Sequence, residues 1–572
     1  MSAYTFDTTS SIRLRRHKFK LGYTVKTTLR VGRLTPIDVQ EVIPGDGWYV
    51  RTRSLVRLAS EFYRPVMDTF YLKNYHFFVP LRLCYTDYAS VYGNPSPSAY
   101  QDNDLKEFPS FNESVEIPFG TVGDYLDICP GVKLPRGLSV LPFRAFALIY
   151  ENWFRNENTV QPMLVQTGEL SDSETPNSNP WGPGNYTGQL PLINKLNDYF
   201  TSCLPNTQKG SAVNVSSVNL PDRIPVYSID SDVPNAYTSN SSALRLLDLD
   251  GVPNISATTY YTALGASWVN GARYSVGRYL PFSDNSTVAG AGDRVGIGNL
   301  WAIPTSTGLG TVNVNDLRFA VSLQQMLEAD ARGGSRYNEY LAVHYGVHIS
   351  DGRIQYPEYL GGNMTPLNIQ QVAQTSASQA GSQLGSLGAY SQSMTKSRFS
   401  KSFDEPGYIL TLAAITYKHS YQQGIPRSYM RTRREDFYDP LFASLGEQPV
   451  YKWQLFNGGS ESESVVQMRD GAIFGYQEYG ADYRHFFDRV TGQMRSANPI
   501  HNDEWHFADS YSNAPSLTQS FTEENSAFFR RTTSYADNAD ADDFLFEMYF
   551  DGFVYRSMPF RARPSLFNKF VS

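Results

Sequence analysis

A long segment that contains neither lysine nor glutamate divides this sequence into two flanks. Residues 211–315 are rich in Asn, Ser, Thr, Gly, Val and Tyr instead. A structureless loop longer than about 15 residues is uncommon inside a compact domain. The composition therefore predicts an inserted lobe of short strands and loops, to which we assign residues 214–313. The flanking parts, residues 24–213 and 314–572, must then build one core between them.

The flanks carry the two-residue alternation that is typical of β-strands. Mostly apolar side chains alternate with polar ones in residues 23–31, where Lys26 and Arg30 lie on the polar side, which predicts a half-buried strand. Residues 44–47, Pro-Gly-Asp-Gly, predict a turn, and we expect residues 48–58 to form the partner strand. Later strands are predicted at residues 76–83, 408–417 and 544–555. The fold is therefore expected to be dominated by β-strands.

A helical hairpin is predicted directly after the insertion. Asn315 can cap the first helix, because its side-chain oxygen can accept a hydrogen bond from an amide of the first turn. Gly333 is expected to end this helix in a left-handed conformation. Ser335 can cap a second helix, which Gly346 can close. Five residues at three- and four-residue spacing share one face of the first helix, as expected for helices that cover a core: Leu317, Val321, Gln324, Leu327 and Ala331.

The N-terminal part of the chain is strongly basic. Residues 11–33 contain eight Lys or Arg residues and no acid: Arg13, Arg15, Arg16, Lys18, Lys20, Lys26, Arg30 and Arg33. Such a run forms either a solvated arm or an arm that contacts phosphates. We assign residues 1–35 to a basic N-terminal arm. The candidates for contact with nucleic acid in a particle interior are Arg13, Arg15, Arg16, Lys18 and Lys20.

Two further groups of arginines lie in the second flank. Arg332 and Arg336 flank the predicted elbow at Gly333 and Gly334, whereas Arg427, Arg431, Arg433 and Arg434 lie among aromatic residues. Arginine and aromatic side chains together can bind single-stranded nucleic acid. They are also favoured between subunits, where arginine makes bidentate ion pairs. All eight of these residues are candidates for an assembly interface.

Several function classes lack their usual sequence signals. The three cysteines are far apart and show no CxxC spacing, which indicates neither a disulfide framework nor a zinc site. His344 and His348 are four residues apart but lack the metalloprotease glutamate. No secretory signal and no run of eighteen apolar residues is present. We therefore expect no metal, no cofactor and no enzymatic activity. The net charge of −7 argues against a uniformly basic nucleic-acid binder, and the low charged fraction of 18% suits a surface covered by neighbours.

Ordered motifs in the second flank resemble a known family. Residues 329–337, 344–347 and 351–362 read ADARGGSRY, HYGV and DGRIQYPEYLGG. They resemble the major capsid proteins of microviruses, the small single-stranded-DNA phages, and the gokushovirus branch in particular. The turn at residues 44–47 followed by residues 76–83, HFFVPLRL, is also similar to that family. Tyr356 departs from the pattern, since the family usually has a basic residue there.

The resemblance implies both a fold and a role. The implied fold is an eight-stranded antiparallel jelly roll of the viral capsid type, with long insertions that include short helices. The implied role is a subunit of a T=1 icosahedral shell around circular single-stranded DNA. The virion would be assembled in the bacterial cytoplasm, together with a small internal DNA-binding protein and a pilot protein. The insertion would project outward and contact a host receptor.

The residues alone also allow a different class of protein. Aromatic residues make up 14% of the chain, with 39 Tyr and 34 Phe, and paired acids occur in turn-rich segments. Both features also suit an all-β carbohydrate-binding protein or a carbohydrate-active enzyme.

Overall fold

The computed structural model of the chain describes most of both flanks and short pieces of the insertion. The described residues are 15–59, 62–91, 107–111, 116–133, 135, 137–163, 165, 167–168, 188–211, 213, 226–228, 246–248, 267–269, 272–274, 295–297, 300–302, 314–353, 355–368, 370–373, 387–390, 392–457, 472–533 and 541–561.

Twenty strands lie within these residues. In chain order they are β1 (His17–Leu29), β2 (Thr35–Val42), β3 (Gly47–Leu58), β4 (Phe70–Pro80), β5 (Val226–Ser228), β6 (Leu246–Asp248), β7 (Ser267–Val269), β8 (Ala272–Tyr274), β9 (Val295–Ile297), β10 (Leu300–Ala302), β11 (Glu358–Leu367), β12 (Gln370–Ala373), β13 (Leu387–Tyr390), β14 (Gln392–Ser402), β15 (Gly407–Tyr417), β16 (Ser420–Tyr421), β17 (Glu447–Tyr451), β18 (Ile473–Glu478), β19 (Asp488–Arg489) and β20 (Phe544–Arg556).

The helices among the described residues are mostly single turns. They are α1 (Leu81–Cys84), α2 (Tyr88–Val91), α3 (Val122–Tyr125), α4 (Leu141–Ile149), α5 (Val314–Gly333), α6 (Tyr337–Tyr345), α7 (Ala481–Arg484), α8 (Gln519–Thr522) and α9 (Ala527–Arg530). A π-helical turn at Tyr150–Phe154 continues α4. Turns of 3-10 helix lie at Arg427–Met430, Arg434–Asp436, Pro440–Leu445, Lys452–Gln454, Gly492–Met494 and Asp503–Trp505.

The chain divides into two compact units. One contains Met1–Lys209 and Glu328–Ser572, and the other is Gly210–Leu327. Within the second unit the described strands pair as nested antiparallel ladders, β5 with β10, β6 with β9 and β7 with β8. Nested pairing means that each later strand folds back on an earlier one. These pieces are the short strands that the composition of this segment predicts.

The first unit is built around two four-stranded antiparallel sheets. The first sheet has the order β1-β20-β3-β14 and the second has the order β11-β4-β15-β2. Inward side chains from both sheets form one apolar core, because successive residues of a strand face opposite sides. That core includes Val50 and Phe546 from the first sheet and Leu72 and Ile415 from the second. The strand-rich, antiparallel architecture confirms a fold dominated by β-strands.

The second sheet is covered on both faces. The strand β15 is buried at nearly every position, as expected for a strand between two apolar layers. On the side away from the first sheet, Phe77 of β4 and Leu412 of β15 pack into a second core with Phe143 and Phe146 of α4. A third, smaller cluster surrounds Phe200, Val450 and Phe474.

The pairing of the N-terminal strand differs from the prediction. The strand begins at His17, six residues before the predicted start, and it pairs with β20 from His17↔Arg556 to Leu29↔Phe544. The predicted partner, β3, exists but lies on the other side of β20. The prediction assumed that strands next to each other in sequence also pair. Here β2 passes into the second sheet, and the C-terminal strand fills the place between β1 and β3.

Candidate assembly and nucleic-acid surfaces

The described part of the basic N-terminal segment is mainly a strand of the first sheet. Arg13 lies outside the described residues. Arg15 and Arg16 are exposed just before β1, and Lys18 and Lys20 are exposed on β1 itself. Their side chains project from the face opposite the core, because Phe19 and Leu21 between them pack against the core. The four described candidates therefore lie on accessible surface, and their contact with nucleic acid stays a prediction.

Arg33, in the same basic segment, is turned toward the protein. Its Nη1 donates to the carbonyl oxygen of Leu190 at 3.1 Å. Burial, and then the neighbouring Arg30, lower the pKa of this guanidinium. The positive charge of residues 15–33 is thus divided between an exposed stretch and a partly buried end.

The helical hairpin is present, but its elbow differs from the prediction. The helix α5 ends at Gly333, and it is Gly334 that adopts the left-handed conformation, with φ of 91°. The predictions of a left-handed Gly333 and of a Ser335 cap are therefore wrong, since Arg336 is the N-cap of α6. Gly346 closes α6 with φ of 65°, as predicted.

The two elbow glycines are required for different reasons. A β-carbon on Gly333 would overlap the side chain of Val343 on α6, so close helix packing excludes larger residues there. At Gly334 the backbone itself is left-handed, which costs other residues about 1 kcal/mol or more. A β-carbon at that position would also overlap the Glu339 carboxylate.

Arg332 ties the end of α5 to the hairpin formed by β17 and β18. Its Nε donates to Glu447 Oε1 at 3.2 Å, and its Nη2 donates to Glu447 Oε2. Nη1 donates to Gln477 Oε1 at 3.4 Å. The guanidinium thus makes a two-pronged contact with a largely buried carboxylate, which is the geometry that arginine forms best.

Arg336 and Ser335 fix the other side of the elbow. Arg336 Nη2 donates to the carbonyl oxygens of Glu151 and Arg155, at 3.1 and 2.9 Å. The amide and hydroxyl groups of Ser335 both donate to the Glu157 carboxylate at 3.2 Å. Burial would raise the pKa of Glu157, but the Ser335 amide and Lys209 outweigh it and lower that pKa. Both elbow arginines therefore hold their own subunit together.

The second arginine group divides into inward and outward members. Arg427 Nη1 donates to the carbonyl oxygen of Pro449 at 2.9 Å. Arg431 pairs with Asp482 and lies over the ring of Tyr483, 4.3 Å from its centroid. Arg433 and Arg434 are exposed. The outward pair is available for contact with another molecule, whereas the inward pair stabilises the subunit. An assembly role for all eight interface candidates stays a prediction.

Comparison with known proteins assigns the chain to a family. Residues 8–566 match the family of the capsid protein (F protein). The chain belongs to this family. The capsid protein VP1 of Spiroplasma virus 4 is 32% identical over 560 residues, which cover 96% of this chain and 95% of that protein. The VP1 proteins of Chlamydia phage 1 and Bdellovibrio phage phiMH2K are each 33% identical. These two alignments cover 98% and 99% of this chain, and 97% and 98% of the respective relatives.

Large apolar side chains lie exposed around the second arginine group of this capsid protein. Tyr429 and Leu441 are 77% and 83% exposed, and Phe437, Leu445 and Phe486 are exposed as well. Exposed apolar patches mark surfaces that bind other proteins. A capsid subunit must bury part of its surface against neighbouring subunits, and this patch has the required composition.

Sequence reasoning missed a fully buried group of charges. Asp509 accepts hydrogen bonds from Lys195 at 3.0 Å and from Tyr511 at 2.6 Å, and its other oxygen lies 2.7 Å from His419 Nδ1. His419 Nε2 lies 2.8 Å from Glu524 Oε1. Burial alone would lower the pKa of His419, but Asp509 and Glu524 raise it to about 9. The members of this buried charged group come from segments that are distant in sequence, so no local motif could reveal them.

The described residues show neither a metal-binding cluster nor a membrane-spanning helix. Within the described ranges, no group of three or more His, Cys, Asp or Glu side chains is arranged to hold a metal ion. Gly346 ends α6 between His344 and His348, and His344 Nε2 lies 2.8 Å from Asp330 Oδ1. None of the described helices is long and apolar enough to cross a membrane.

Proposed function

We propose that this capsid protein folds as an eight-stranded jelly roll and assembles into a T=1 icosahedral shell around circular single-stranded DNA. The observation that carries the proposal is the family match over nearly the whole chain, together with similarly complete VP1 relatives from three phages. Two facing antiparallel sheets of four strands each are the expected arrangement for such a barrel.

Electron microscopy of the expressed full-length protein tests the assembly. The expected result is closed shells or their capsomers, because the exposed apolar patch around Tyr429 and Leu441 is buried between subunits. A protein that stays monomeric at all concentrations and binds glycans would instead support the carbohydrate-binding class.

The basic segment at residues 11–33 is proposed to face the particle interior. Its support is the exposure of Lys18 and Lys20 on a chain that is acidic overall. In intact particles, an amine reagent that cannot enter the shell should modify Lys18 and Lys20 far more slowly than Lys418, whose side chain is 58% exposed on the subunit. Equal rates would place the segment on the outside.

The insertion is proposed to be the part of the subunit that contacts the host. Its support is that Gly210–Leu327 forms a separate compact unit with a composition unlike that of its flanks, since recognition is usually carried by inserted loops. A host receptor, an internal DNA-binding protein and a pilot protein are the proposed partners of the assembled virion, which forms in the bacterial cytoplasm.

A further inference from the structure

The outer face of the first sheet carries cations from three strands that the fold aligns in register. The ladders place Arg53 opposite both Tyr549 of β20 and Lys396 of β14, and Arg51 opposite both Asp551 and Arg398. The same face of β1 carries three lysines opposite β20. Eight basic residues on this face are exposed: Lys18, Lys20, Lys26, Arg51, Arg53, Arg57, Lys396 and Arg398.

Negative charge on this face is sparse. Glu547 and Asp551 are the two carboxylates in these rows, so eight cations against two anions leave an excess of six positive charges. Among the described residues, none of the eight cations forms an ion pair with a carboxylate. An accumulation of like charge is unfavourable in a folded subunit, and an anionic ligand would relieve it.

Aromatic side chains alternate with these cations. The rings of Tyr49 and Phe553 stack with centroids 5.0 Å apart. The Lys18 ammonium lies 3.9 Å from the Phe553 ring centroid, and the Arg51 guanidinium lies 5.0 Å from that of Tyr49. Tyr549 and Tyr555, on the same face of β20, are 37% and 42% exposed. Exposed rings among cations can stack unpaired bases, a form of binding that tolerates any sequence.

The geometry favours a single strand over a duplex. Neighbouring strands lie about 4.8 Å apart and successive outward residues about 7 Å apart, so the cations form a broad two-dimensional array. A flexible chain of phosphates can follow such an array. Sequence reading in a duplex needs an element that enters a groove, and the outer face of a four-stranded sheet presents no such element.

A contact between copies of this face is disfavoured. The buried centre of a protein interface is depleted in charged residues, lysine especially, and this face carries four exposed lysines. A symmetric contact would also bring like charges together, which costs free energy. The second sheet differs, because its outer face is already covered by α4 and its surroundings.

We propose that the outer face of the β1-β20-β3-β14 sheet is a binding surface for single-stranded nucleic acid. The eight cations hold the phosphates, and unpaired bases stack on Tyr549 and Tyr555. The choice of nucleic acid rests on the proposed function as a capsid protein. The proposed surface therefore extends beyond the N-terminal segment to β3 and β14, which lie outside that segment in sequence.

A triple variant and a matched control test the proposal in the full-length protein. Arg53→Gln, Lys396→Gln and Arg398→Gln remove three adjacent cations from the face. Arg64→Gln, Arg353→Gln and Lys418→Gln remove three exposed cations elsewhere. The probe is a fluorescently labelled thymidine oligonucleotide, titrated with each protein over a range of salt concentrations.

The expected result separates the two triple variants. Each phosphate contact to a single strand contributes about 0.7 to the slope of log affinity against log salt. The slope of the sheet variant should therefore fall by about 2, with a loss of affinity of about tenfold or more at low salt. The control should keep the wild-type slope. Equal slopes in all three proteins would overturn the proposal.

Amine labelling of the wild-type protein tests the same surface without a substitution. The oligonucleotide should protect Lys18, Lys20, Lys26 and Lys396 from the reagent and leave Lys133 unprotected. When the amine reagent is small enough to enter the shell, protection that appears on shell formation without nucleic acid would make this face a subunit contact and overturn the proposal. Shells that form normally while these lysines stay reactive in the presence of DNA would also overturn it, and would leave the capsid function intact. Failure of the wild-type protein to form any shell would count against the proposed function instead.

Discussion

At the scale of single residues, the elbow shows how a glycine can be required by its neighbour and not by its own backbone. Gly333 lies within α5 and faces Val343, whereas Gly334 and Gly346 have left-handed backbones. Substitutions should therefore follow different rules at these positions. Asn tolerates the left-handed conformation. It should therefore be tolerated where only the backbone conformation requires glycine, and it should destabilise the fold where there is no space for a side chain.

We predict that Gly333→Ala lowers the free energy of unfolding by about 1–3 kcal/mol, because the new methyl group overlaps Val343. Adding Val343→Ala should recover most of this loss. Gly333→Asn should be at least as damaging as Gly333→Ala. Gly346→Asn should be mild, since nothing lies within 4 Å of a β-carbon there. Urea unfolding of the four variants checks this, and an equally mild Gly333→Asn would contradict the steric explanation.

A second prediction concerns pH and His419. The pKa of His419 is about 9 in the folded protein, compared with about 6.5 in an unfolded chain. The folded state therefore binds this proton more tightly. The stabilisation is fully present below pH 6.5 and is lost as the pH rises to about 9. The free energy of unfolding should fall across that window, and His419→Gln should flatten the fall.

His76 supplies the matched control, because its pKa moves the other way. Burial lowers it to about 4, so its contribution is present above pH 6.5 and is lost as the pH falls toward 4. Removing it with His76→Gln should leave the alkaline fall unchanged. An alkaline fall that persists in the His419→Gln variant would assign the effect to another group.

At the scale of elements, the end of α5 is joined to the β17–β18 hairpin through one guanidinium. We predict that Arg332→Met lowers the free energy of unfolding by about 1–3 kcal/mol, because it leaves the Glu447 carboxylate, only 9% exposed, without its cation. Arg332→Lys should be intermediate, since an ammonium cannot make the two-pronged contact.

The control for this ion pair is Arg433→Met. Arg433 and its neighbour Glu435 are both more than half exposed and lie 3.9 Å apart, and such pairs contribute about 0–1 kcal/mol. Denaturant midpoints of the variants give the comparison. If the double variant Arg332→Met with Glu447→Gln were no more stable than Arg332→Met, the unpaired carboxylate would not be the cause of the loss.

The elements also show where sequence reasoning succeeds. The strands β15 and β20 were predicted within one residue of their ends, because each is a continuous apolar or alternating run. The pairing of β1 was wrong, since β20 lies more than five hundred residues away and no local signal links the two. The elbow prediction failed for a related reason, because either of two adjacent glycines can be left-handed and the local sequence does not reveal the packing of Gly333 against Val343. The basic sheet face was missed because it exists only after four remote strands are in register.

At the scale of the whole molecule, the separate unit of the insertion predicts that shell formation and host adsorption depend on different parts of the chain. Replacing residues 214–313 with a short flexible linker should leave shell formation unchanged and reduce adsorption to host cells. The physical reason is that Gly210–Leu327 is compact by itself, and its strands β5 and β10 pair with each other within this unit. Particle yield and adsorption are measured side by side. Loss of soluble subunits on replacement would make the insertion part of the core.

The position of β20 has a consequence for the newly made chain. This strand fills the gap between β1 and β3, yet it leaves the ribosome long after both of them. Until β20 is made, the first sheet cannot form completely, because β1 and β3 both lack the strand that pairs with them. Pairing over such sequence separations is slow, and exposed strand edges invite aggregation. The growing chain is therefore prone to aggregation during much of its synthesis. A chaperone that shields unpaired strands in this period would raise the yield of folded protein.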